Sequence, residues 1–241
     1  MMRSLEGENS MSTCILTGAG SGIGKAVALE LSKRKYFDSF ALIGRNKQEL
    51  TRTINKMSEI NNCKISSYII DLCDIEKIPQ LIETIKTEHK QINCLLNIAG
   101  YTDPQPLLST SLDSIYTTYK VNVIAPMILM RECARYMKIC GGKMLNVAST
   151  AGTTPRPGWV TYASSKAAVI SMSQTLTEEL AEYGIKVYCV SPGRCATKLR
   201  KRLAPDEDPS TIMQPQEVAN VICNLISDAE ECLDGQNIII R

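Results

Sequence analysis

The most constraining feature of this sequence is a glycine-rich turn between a short apolar run and a helical pattern. The apolar run is Thr13–Thr17, the turn is TGAGSGIG at residues 17–24, and the pattern GKAVALELSKR follows. Glycines permit a tight turn and let the backbone approach a phosphate, while the free N–H groups at a helix N-terminus favour an anion. Glycine-rich stretches alone are a weak signal, but this order of strand, turn and helix predicts a dinucleotide-binding site.

Short apolar runs recur along the whole chain and are separated by longer amphipathic stretches. The seven candidate strands are Thr13–Thr17, 40–43, 65–70, Cys94–Asn97, 143–147, 186–190 and Asn237–Ile240. Near-continuously apolar strands separated by helices are typical of a parallel sheet covered on both faces. Right-handed crossovers then predict an α/β fold, a Rossmann-like doubly wound seven-stranded parallel sheet flanked by helices on both faces. Its binding crevice is expected at the carboxyl ends of the strands.

One domain accounts for this pattern, because the 241 residues contain no composition break, linker or repeat. Residues 11–241 are expected to form a single NAD(P)-binding Rossmann domain that carries both the cofactor and the substrate sites. Residues 1–10 are polar and are expected to be a disordered extension. The net charge is only +2, and the one basic run, KLRKR at residues 198–202, is too short to indicate a nucleic-acid surface.

The cysteines indicate a reducing compartment. All ten are dispersed, with no CxxC pair and no cluster of metal-ligand spacing, so neither a disulfide scaffold nor a metal site is expected. The start of the chain lacks the apolar segment of a signal peptide, and no stretch is long enough to span a bilayer. We therefore expect a soluble, cytoplasmic protein with no metal and no membrane or nucleic-acid partner.

A candidate catalytic pair lies in YASSK at residues 162–166. Tyr162 and Lys166 are four residues apart, so they share a face of the predicted helix. A nearby ammonium lowers the pKa of a phenol from its usual value of about 10 and makes it a better general acid or base. This pattern alone is usually a surface pair. Ser149 strengthens it, because it follows the fifth strand at the edge where a substrate would bind, with Thr150 as a competing hydroxyl.

Together these motifs resemble the short-chain dehydrogenase/reductase family in its small single-domain branch, and in particular its 3-oxoacyl-ACP reductase-like oxidoreductases. The resemblance rests on the GxxxGxG spacing from Gly18 and on YASSK, and it covers almost the whole chain. It implies the catalytic set Asn122, Ser149, Tyr162 and Lys166, in which Asn122 supports a water-linked proton relay through the lysine. It also implies a homodimer or homotetramer packed through residues 111–140 and 164–183.

The same resemblance assigns the cofactor contacts. Asp71 and Leu72 would lie near the adenine, and the segment with Pro192, Gly193 and Thr197 would hold the nicotinamide carboxamide. NIAG at residues 97–100 resembles the family's NNAG segment, in which the first Asn mainly steadies the sheet. The expected cofactor-binding residues are Gly18, Ser21, Gly22, Ile23, Gly24, Arg45, Asn46, Asp71, Leu72, Asn97, Ala99, Gly100, Tyr162, Lys166, Pro192, Gly193 and Thr197.

The end of the second strand bears on the choice of cofactor. An acidic residue there would bind the ribose hydroxyls and repel a 2′-phosphate, but this chain has Gly44 followed by Arg45. A guanidinium suits a phosphate group, so the sequence favours NADP(H) over NAD(H). The plainer interpretation is that Arg45 is a solvated loop charge.

The sequence thus predicts an NADP(H)-dependent oxidoreductase that reduces a carbonyl to an alcohol, or the reverse, by hydride transfer with a tyrosine general acid/base. The alternative is a catalytically silent dinucleotide-binding regulator. A Ser-His-Asp hydrolase would need His89, which lies in the polar stretch IKTEHKQ and is expected on a solvated face. The substrate is expected to be a small or carrier-linked carbonyl or alcohol. KLRKR could favour an anionic substrate or could be a solvated helix, and Trp159 could touch substrate or serve packing.

Overall fold

Seven parallel strands form one sheet, in the order β3-β2-β1-β4-β5-β6-β7, in the computed structural model, which describes residues 12–241. The strands are β1 (Thr13–Thr17), β2 (Ser39–Gly44), β3 (Lys64–Ile69), β4 (Cys94–Asn97), β5 (Gly142–Val147), β6 (Ile185–Pro192) and β7 (Asn237–Ile240). This sheet confirms the predicted fold class. The expectation of a disordered extension at residues 1–10 lies outside the described residues.

Eight α-helices connect the strands: α1 (Gly22–Arg34), α2 (Lys47–Ile60), α3 (Ile78–His89), α4 (Leu112–Tyr119), α5 (Ala125–Met137), α6 (Val160–Leu180), α7 (Lys198–Leu203) and α8 (Pro215–Leu225), counted over residues 12–241. A π-helical turn, Lys120–Ile124, joins α4 to α5. Short 3₁₀ turns occupy Ile75–Lys77, Leu107–Ser109, Thr150–Gly152, Ala181–Tyr183 and Pro209–Thr211. Helix α6 begins at Val160, so Tyr162 lies within its first turn and Lys166 one turn further on, as expected for the YASSK segment.

The core lies on both faces of the sheet, because successive strand residues point to opposite sides. Leu16 of β1 belongs to the apolar cluster that contains Val27 of α1 and Ile222 of α8. Its neighbour Ile15 belongs to the other cluster, which contains Ile82 of α3. The inner strands β1, β2 and β4 are therefore buried at almost every position, whereas the edge strand β3 is only partly covered.

The chain reverses its direction of winding between β1 and β4. Strands β2 and β3 lie on one side of β1, and strands β4 to β7 lie on the other. At such a point, loops from neighbouring strands diverge at the carboxyl edge of the sheet and leave a crevice between them. The loops after β1 and β4 carry the glycine-rich turn and the NIAG segment, so both motifs border this crevice.

His89 is fully buried, and the expectation that it lies on a solvated face is wrong. It continues the apolar stripe of α3, where the buried residues Ile78, Ile82, Ile85 and His89 follow one another at spacings of four, three and four. Its Nδ1 is hydrogen-bonded to the Ser39 hydroxyl, and burial lowers the pKa of the imidazole, which favours the neutral form. Since Ser39 begins β2, His89 lies at the amino edge of the sheet, away from the crevice.

All ten cysteines are free thiols, as expected for a chain without a disulfide framework. Within residues 12–241, no helix combines the length and the apolar character needed to cross a membrane.

Candidate active site

A cavity of about 1250 Å³ lies at the carboxyl edge of the sheet. The loops that follow β1 to β6 form its walls. It brings together all but one of the residues expected to bind the cofactor, namely Gly18, Ser21, Gly22, Ile23, Gly24, Arg45, Asn46, Asp71, Leu72, Ala99, Gly100, Tyr162, Lys166, Pro192, Gly193 and Thr197. Residues that are far apart in the sequence thus share one site.

The glycine turn is packed so closely that side chains would disrupt it. Gly18 has a φ of 72°, and a Cβ there would lie 3.0 Å from the backbone of Ala99. A Cβ on Gly24 would lie 2.2 Å from the carbonyl oxygen of Gly18, far inside contact distance. These two glycines let the turn fold against α1 and leave the helix N-terminus on the cavity wall, where its N–H groups suit a phosphate.

The segment at residues 97–100 divides into a structural part and a cavity part. The Thr17 hydroxyl accepts the N–H groups of Ile98 and Ala99, at 3.0 and 3.1 Å, and so holds this segment beside the glycine turn. Asn97 is the expected cofactor residue that does not line the cavity. It is buried, and its Nδ2 donates to Oδ1 of Asn146 at 2.9 Å, which ties β4 to β5.

The loops after β2 and β3 place charged and polar groups at one end of the cavity. Arg45 Nη1 lies 3.6 Å from Asp71 Oδ2, and both side chains are substantially exposed. The Asn46 side chain caps α2 by accepting the N–H of Glu49 at 3.0 Å. Lys47, which sequence reasoning missed, lines the same end. Two cations therefore border the end of the cavity where Asp71 lies.

Three of the four expected catalytic residues line the cavity: Ser149, Tyr162 and Lys166. The Lys166 Nζ donates to the carbonyl of Val147 at 2.8 Å and lies 5.8 Å from the centroid of the Tyr162 ring. Burial lowers the pKa of Lys166 to about 8. Burial also raises the pKa of Tyr162, against the opposing effects of the Ser149 hydroxyl and the Arg200 charge, so the lowering of this pKa that the sequence predicts from Lys166 is not observed in the protein alone.

Asn122 lies behind this wall and does not line the cavity. Its Oδ1 accepts the N–H of Tyr101 at 2.8 Å, and its Nδ2 donates to the Tyr101 carbonyl at 2.9 Å and to the Ser165 hydroxyl at 3.0 Å. It lies in the π-helical turn Lys120–Ile124, a kind of irregularity that is frequent at functional sites. Its side chain therefore ties the segment after β4 to α6, the helix that carries Tyr162.

A stacked arrangement that sequence reasoning missed covers Tyr162. The Trp159 ring packs edge-to-face on Tyr162, with centroids 6.4 Å apart, and the Arg200 guanidinium lies 5.8 Å from the Trp159 ring. Arg200 is held by two hydrogen bonds of 2.6 Å to the carboxylate of Glu207. No local pattern marks Arg200 as part of this stack, because it lies in α7, remote in sequence from Trp159.

An ion pair that the sequence did not predict joins the two sides of the cavity. Lys198 of α7 forms an ion pair with Glu49 of α2, and both residues line the cavity. Glu49 also packs against the glycine turn, since a Cβ on Gly20 would lie 3.0 Å from the Cβ of Glu49. The pair is 149 positions apart in the sequence, so only the fold reveals it.

The geometry favours proton-transfer chemistry beside an anion-binding turn. Two hydroxyl groups and an ammonium converge on one wall, and the N-terminus of α1 lies on another. No group of three or more His, Cys, Asp or Glu side chains that could hold a metal ion occurs within residues 12–241.

Comparisons with known proteins agree with this geometry. Residues 12–208 match the family model described as short chain dehydrogenase. The 3-oxoacyl-[acyl-carrier-protein] reductase FabG of Thermotoga maritima is 31% identical, over 92% of this chain and 93% of its own. The NAD-dependent glycerol dehydrogenase of Listeria innocua is 29% identical, over 94% and 91%. The acetoin dehydrogenase YohF structure from Salmonella typhimurium has the same fold, with a TM-score of 0.86 at 23% identity over 95% and 94% of the two chains.

Proposed function

The chain belongs to the short-chain dehydrogenase/reductase family, whose members interconvert carbonyls and alcohols, and we propose that it is an NADP(H)-dependent reductase with Tyr162 as general acid/base. The observation that carries the proposal is the convergence of Ser149, Tyr162 and Lys166 on a cavity whose other wall is the glycine turn. The reaction reduces a carbonyl to an alcohol or runs in reverse.

The residues of the cavity fit a nicotinamide dinucleotide. The glycine turn has no room for a side chain at Gly18 or Gly24 and leaves N–H groups for a pyrophosphate, while Asp71 and Leu72 border the end that we assign to the adenine. Pro192, Gly193 and Thr197 border the nicotinamide end. When bound, the cofactor supplies the hydride for reduction or accepts it for oxidation.

The protein's own groups handle the carbonyl oxygen. The Ser149 hydroxyl donates a hydrogen bond that orients the substrate, and the Tyr162 hydroxyl delivers the proton. The carbonyl carbon thus gains a hydride while its oxygen gains a proton, which balances the reduction. Lys166, whose ammonium lies beside the Tyr162 ring, favours the phenolate that remains after the transfer. Asn122 acts as a positioning residue through Tyr101 and Ser165.

Two basic side chains support NADP(H) as the preferred cofactor. Arg45 and Lys47 border the end of the cavity that we assign to the adenosine, and no acidic residue ends β2. A 2′-phosphate there would meet these two cations, and it would meet no carboxylate at the end of β2 itself. The opposing consideration is that the Listeria innocua relative is named as NAD-dependent. A comparison of the two cofactors therefore belongs in the test.

The regulator alternative is disfavoured because a sensor has no use for a proton donor. Ser149, Tyr162 and Lys166 all line the cavity, and the Trp159 stack covers the phenol. The ten free cysteines support the proposal that the enzyme acts in a reducing compartment such as the cytoplasm.

The first experiment follows NADPH and NADH oxidation with a panel of carbonyls, namely a diketone, a 3-oxoacyl thioester, a keto-sugar and a phosphorylated keto-sugar. Tyr162→Phe protein runs in parallel, with its NADPH affinity measured by fluorescence. We expect turnover with NADPH above NADH, and a loss of about 10²–10⁴-fold in the variant at nearly unchanged NADPH affinity. Full activity of the variant would refute the role of Tyr162. Tight NADPH binding with no turnover of any carbonyl would favour the regulator.

A further inference from the structure

The charge of the cavity wall exceeds what the cofactor and the chemistry explain. Eight basic side chains line the cavity, against two carboxylates, Glu49 and Asp71. Asp71 lies beside Arg45, and Glu49 pairs with Lys198. A wall with this imbalance attracts anions.

Four of the remaining six cations have an anionic partner or another assigned role. Arg200 and Arg194 both bind the carboxylate of Glu207, which lies outside the cavity wall. Lys166 belongs to the proposed proton-transfer site, and Lys47 lies beside Arg45 at the adenosine end. The two cations left over are Arg156 and Arg202.

These two arginines border the substrate part of the cavity from different segments. Arg156 precedes α6, and its carbonyl accepts the N–H of Trp159 at 3.0 Å, so it adjoins the stack over Tyr162. Arg202 lies in α7 and is close enough to Tyr101 to act electrostatically on its hydroxyl. Neither guanidinium has an ion pair or a hydrogen-bonded side chain among residues 12–241, and both residues are exposed. Two guanidinium groups without a side-chain partner therefore border the same cavity.

A hydroxyl group of the same wall also lacks a partner. Thr102 lines the cavity, is 2% exposed, and its buried Oγ1 makes no hydrogen bond within the described residues. The hydroxyl groups of Tyr101 and Thr150 line the same region. The Thr102 oxygen is enclosed and out of reach of a ligand, but the Tyr101 and Thr150 hydroxyls lie on the cavity wall and fit a substrate that itself carries hydroxyl groups.

We propose that the substrate is a hydroxyketone that carries a phosphate ester, with the phosphate bound between Arg156 and Arg202. The inference rests on the proposed reductase function and names its substrate class. A phosphate presents several acceptor oxygens to two planar guanidinium groups, which suits arginine better than lysine. The carbonyl then lies at Tyr162 and Ser149, and the hydroxyls of the substrate meet Tyr101 and Thr150.

The test compares matched carbonyls that differ only in the phosphate. The probes are dihydroxyacetone phosphate and a 2-ketopentose 5-phosphate, each beside its unphosphorylated form, since the two lengths sample different distances between carbonyl and phosphate. The variants are Arg156→Gln, Arg202→Gln and the double variant. Lys201→Gln is the matched control, because Lys201 is exposed on the same helix as Arg202 but does not line the cavity.

We expect the wild type to prefer at least one phosphorylated form by about 100-fold in kcat/KM, mostly through KM. The ratio of kcat/KM for the phosphorylated and unphosphorylated forms should fall about tenfold in each single variant and approach one in the double variant, as expected for two charge-assisted contacts. Activity on the unphosphorylated forms and the behaviour of Lys201→Gln should stay unchanged. Equal use of both forms, or a preference that survives in the double variant, would overturn the inference.

Two further measurements separate this inference from the proposed function. Turnover of a neutral diketone tests the reductase activity without any phosphate. Calorimetric titration of the two ketose phosphates into NADP⁺-loaded protein tests the arginine pair without turnover, and binding lost in the double variant supports the inference. A preference for acetoacetyl-CoA over both ketose phosphates would support the reductase function but contradict the proposal that the substrate is a small phosphate ester.

Discussion

At the scale of single residues, Lys166 combines a buried charge with a role in the proposed chemistry. It is 4% exposed, and the Val147 carbonyl accepts one hydrogen bond from its ammonium. Burial lowers its pKa from 10.5 to about 8, so at pH 7 the folded protein holds a charge that the unfolded chain would solvate better. A group kept for chemistry therefore reduces the stability of the fold.

Lys166→Met should remove activity and raise the free energy of unfolding by about 1–2 kcal/mol at pH 7, because the buried charge is lost. Below pH 8 both states of the wild type hold the proton, so the difference is fully present. Between pH 8 and 10.5 the folded wild type releases the Lys166 proton before the unfolded chain does, so its free energy of unfolding rises with pH. The difference in stability between the variant and the wild type therefore shrinks over this range. Urea unfolding at pH 7 and pH 9.5 measures this, with exposed Lys201→Met as control. A variant less stable than the wild type at pH 7 would contradict the account.

At the scale of secondary-structure elements, an ion pair at the start of helix α7 joins it to α2 across the cavity. Lys198 binds Glu49 of α2, and Arg200 binds Glu207 just beyond the helix. Glu49 packs against the glycine turn, so its carboxylate lies near the expected pyrophosphate and would repel it without the lysine. The pair should therefore matter more for binding than for folding.

Lys198→Met should weaken NADPH binding by about three- to tenfold, because it leaves the Glu49 carboxylate unpaired beside the phosphates. The free energy of unfolding should fall by less than about 1 kcal/mol, since an exposed ion pair contributes no more than that to stability. The double variant Lys198→Met/Glu49→Gln should recover most of that affinity. Fluorescence titration of the wild type, both single variants and the double variant completes the cycle. If the double variant binds more weakly than Lys198→Met, Glu49 does not act through its charge.

The elements also show which features the sequence could predict. The glycine turn and YASSK could be predicted because each depends only on residues that are close in the sequence. The turn lies between β1 and α1, YASSK lies in α6, and both motifs line the cavity as expected. The Lys198–Glu49 pair and the Arg200–Trp159 stack depend on segments brought together by the sheet, and no local pattern marks them. The burial of His89 had a signal in its spacing from Ile85, Ile82 and Ile78, which its polar neighbours obscured.

At the scale of the whole molecule, an exposed apolar surface on α4 and α5 indicates self-association. Leu112 and Tyr116 are four residues apart and more than 60% exposed, and Ile124 and Met127 continue the exposed apolar positions beyond the π-helical turn. Isolated exposed apolar residues are common, but a cluster of large ones on one helical unit is typical of an interface. This surface lies within residues 111–140, where the sequence predicts subunit packing.

We expect a homodimer in solution that Tyr116→Glu/Met127→Glu converts to monomer, because two charges cannot be buried unpaired at an interface. Sedimentation velocity at micromolar concentration measures the change. Ile139→Glu is the control, since Ile139 is 86% exposed but lies beyond the end of α5. A wild type that sediments as a monomer, or a double variant that remains dimeric, would contradict this packing.

The central claim is that the cavity at the carboxyl edge carries out hydride transfer with Tyr162 as the proton donor. The most direct measurement uses NADPH deuterated at its transferable position, a single turnover with the best carbonyl of the panel, and mass spectrometry of the alcohol. We expect one deuterium on the carbinol carbon, with the rate reduced about 10²–10⁴-fold in Tyr162→Phe. A product without deuterium, or a variant that transfers it at the wild-type rate, would contradict the claim.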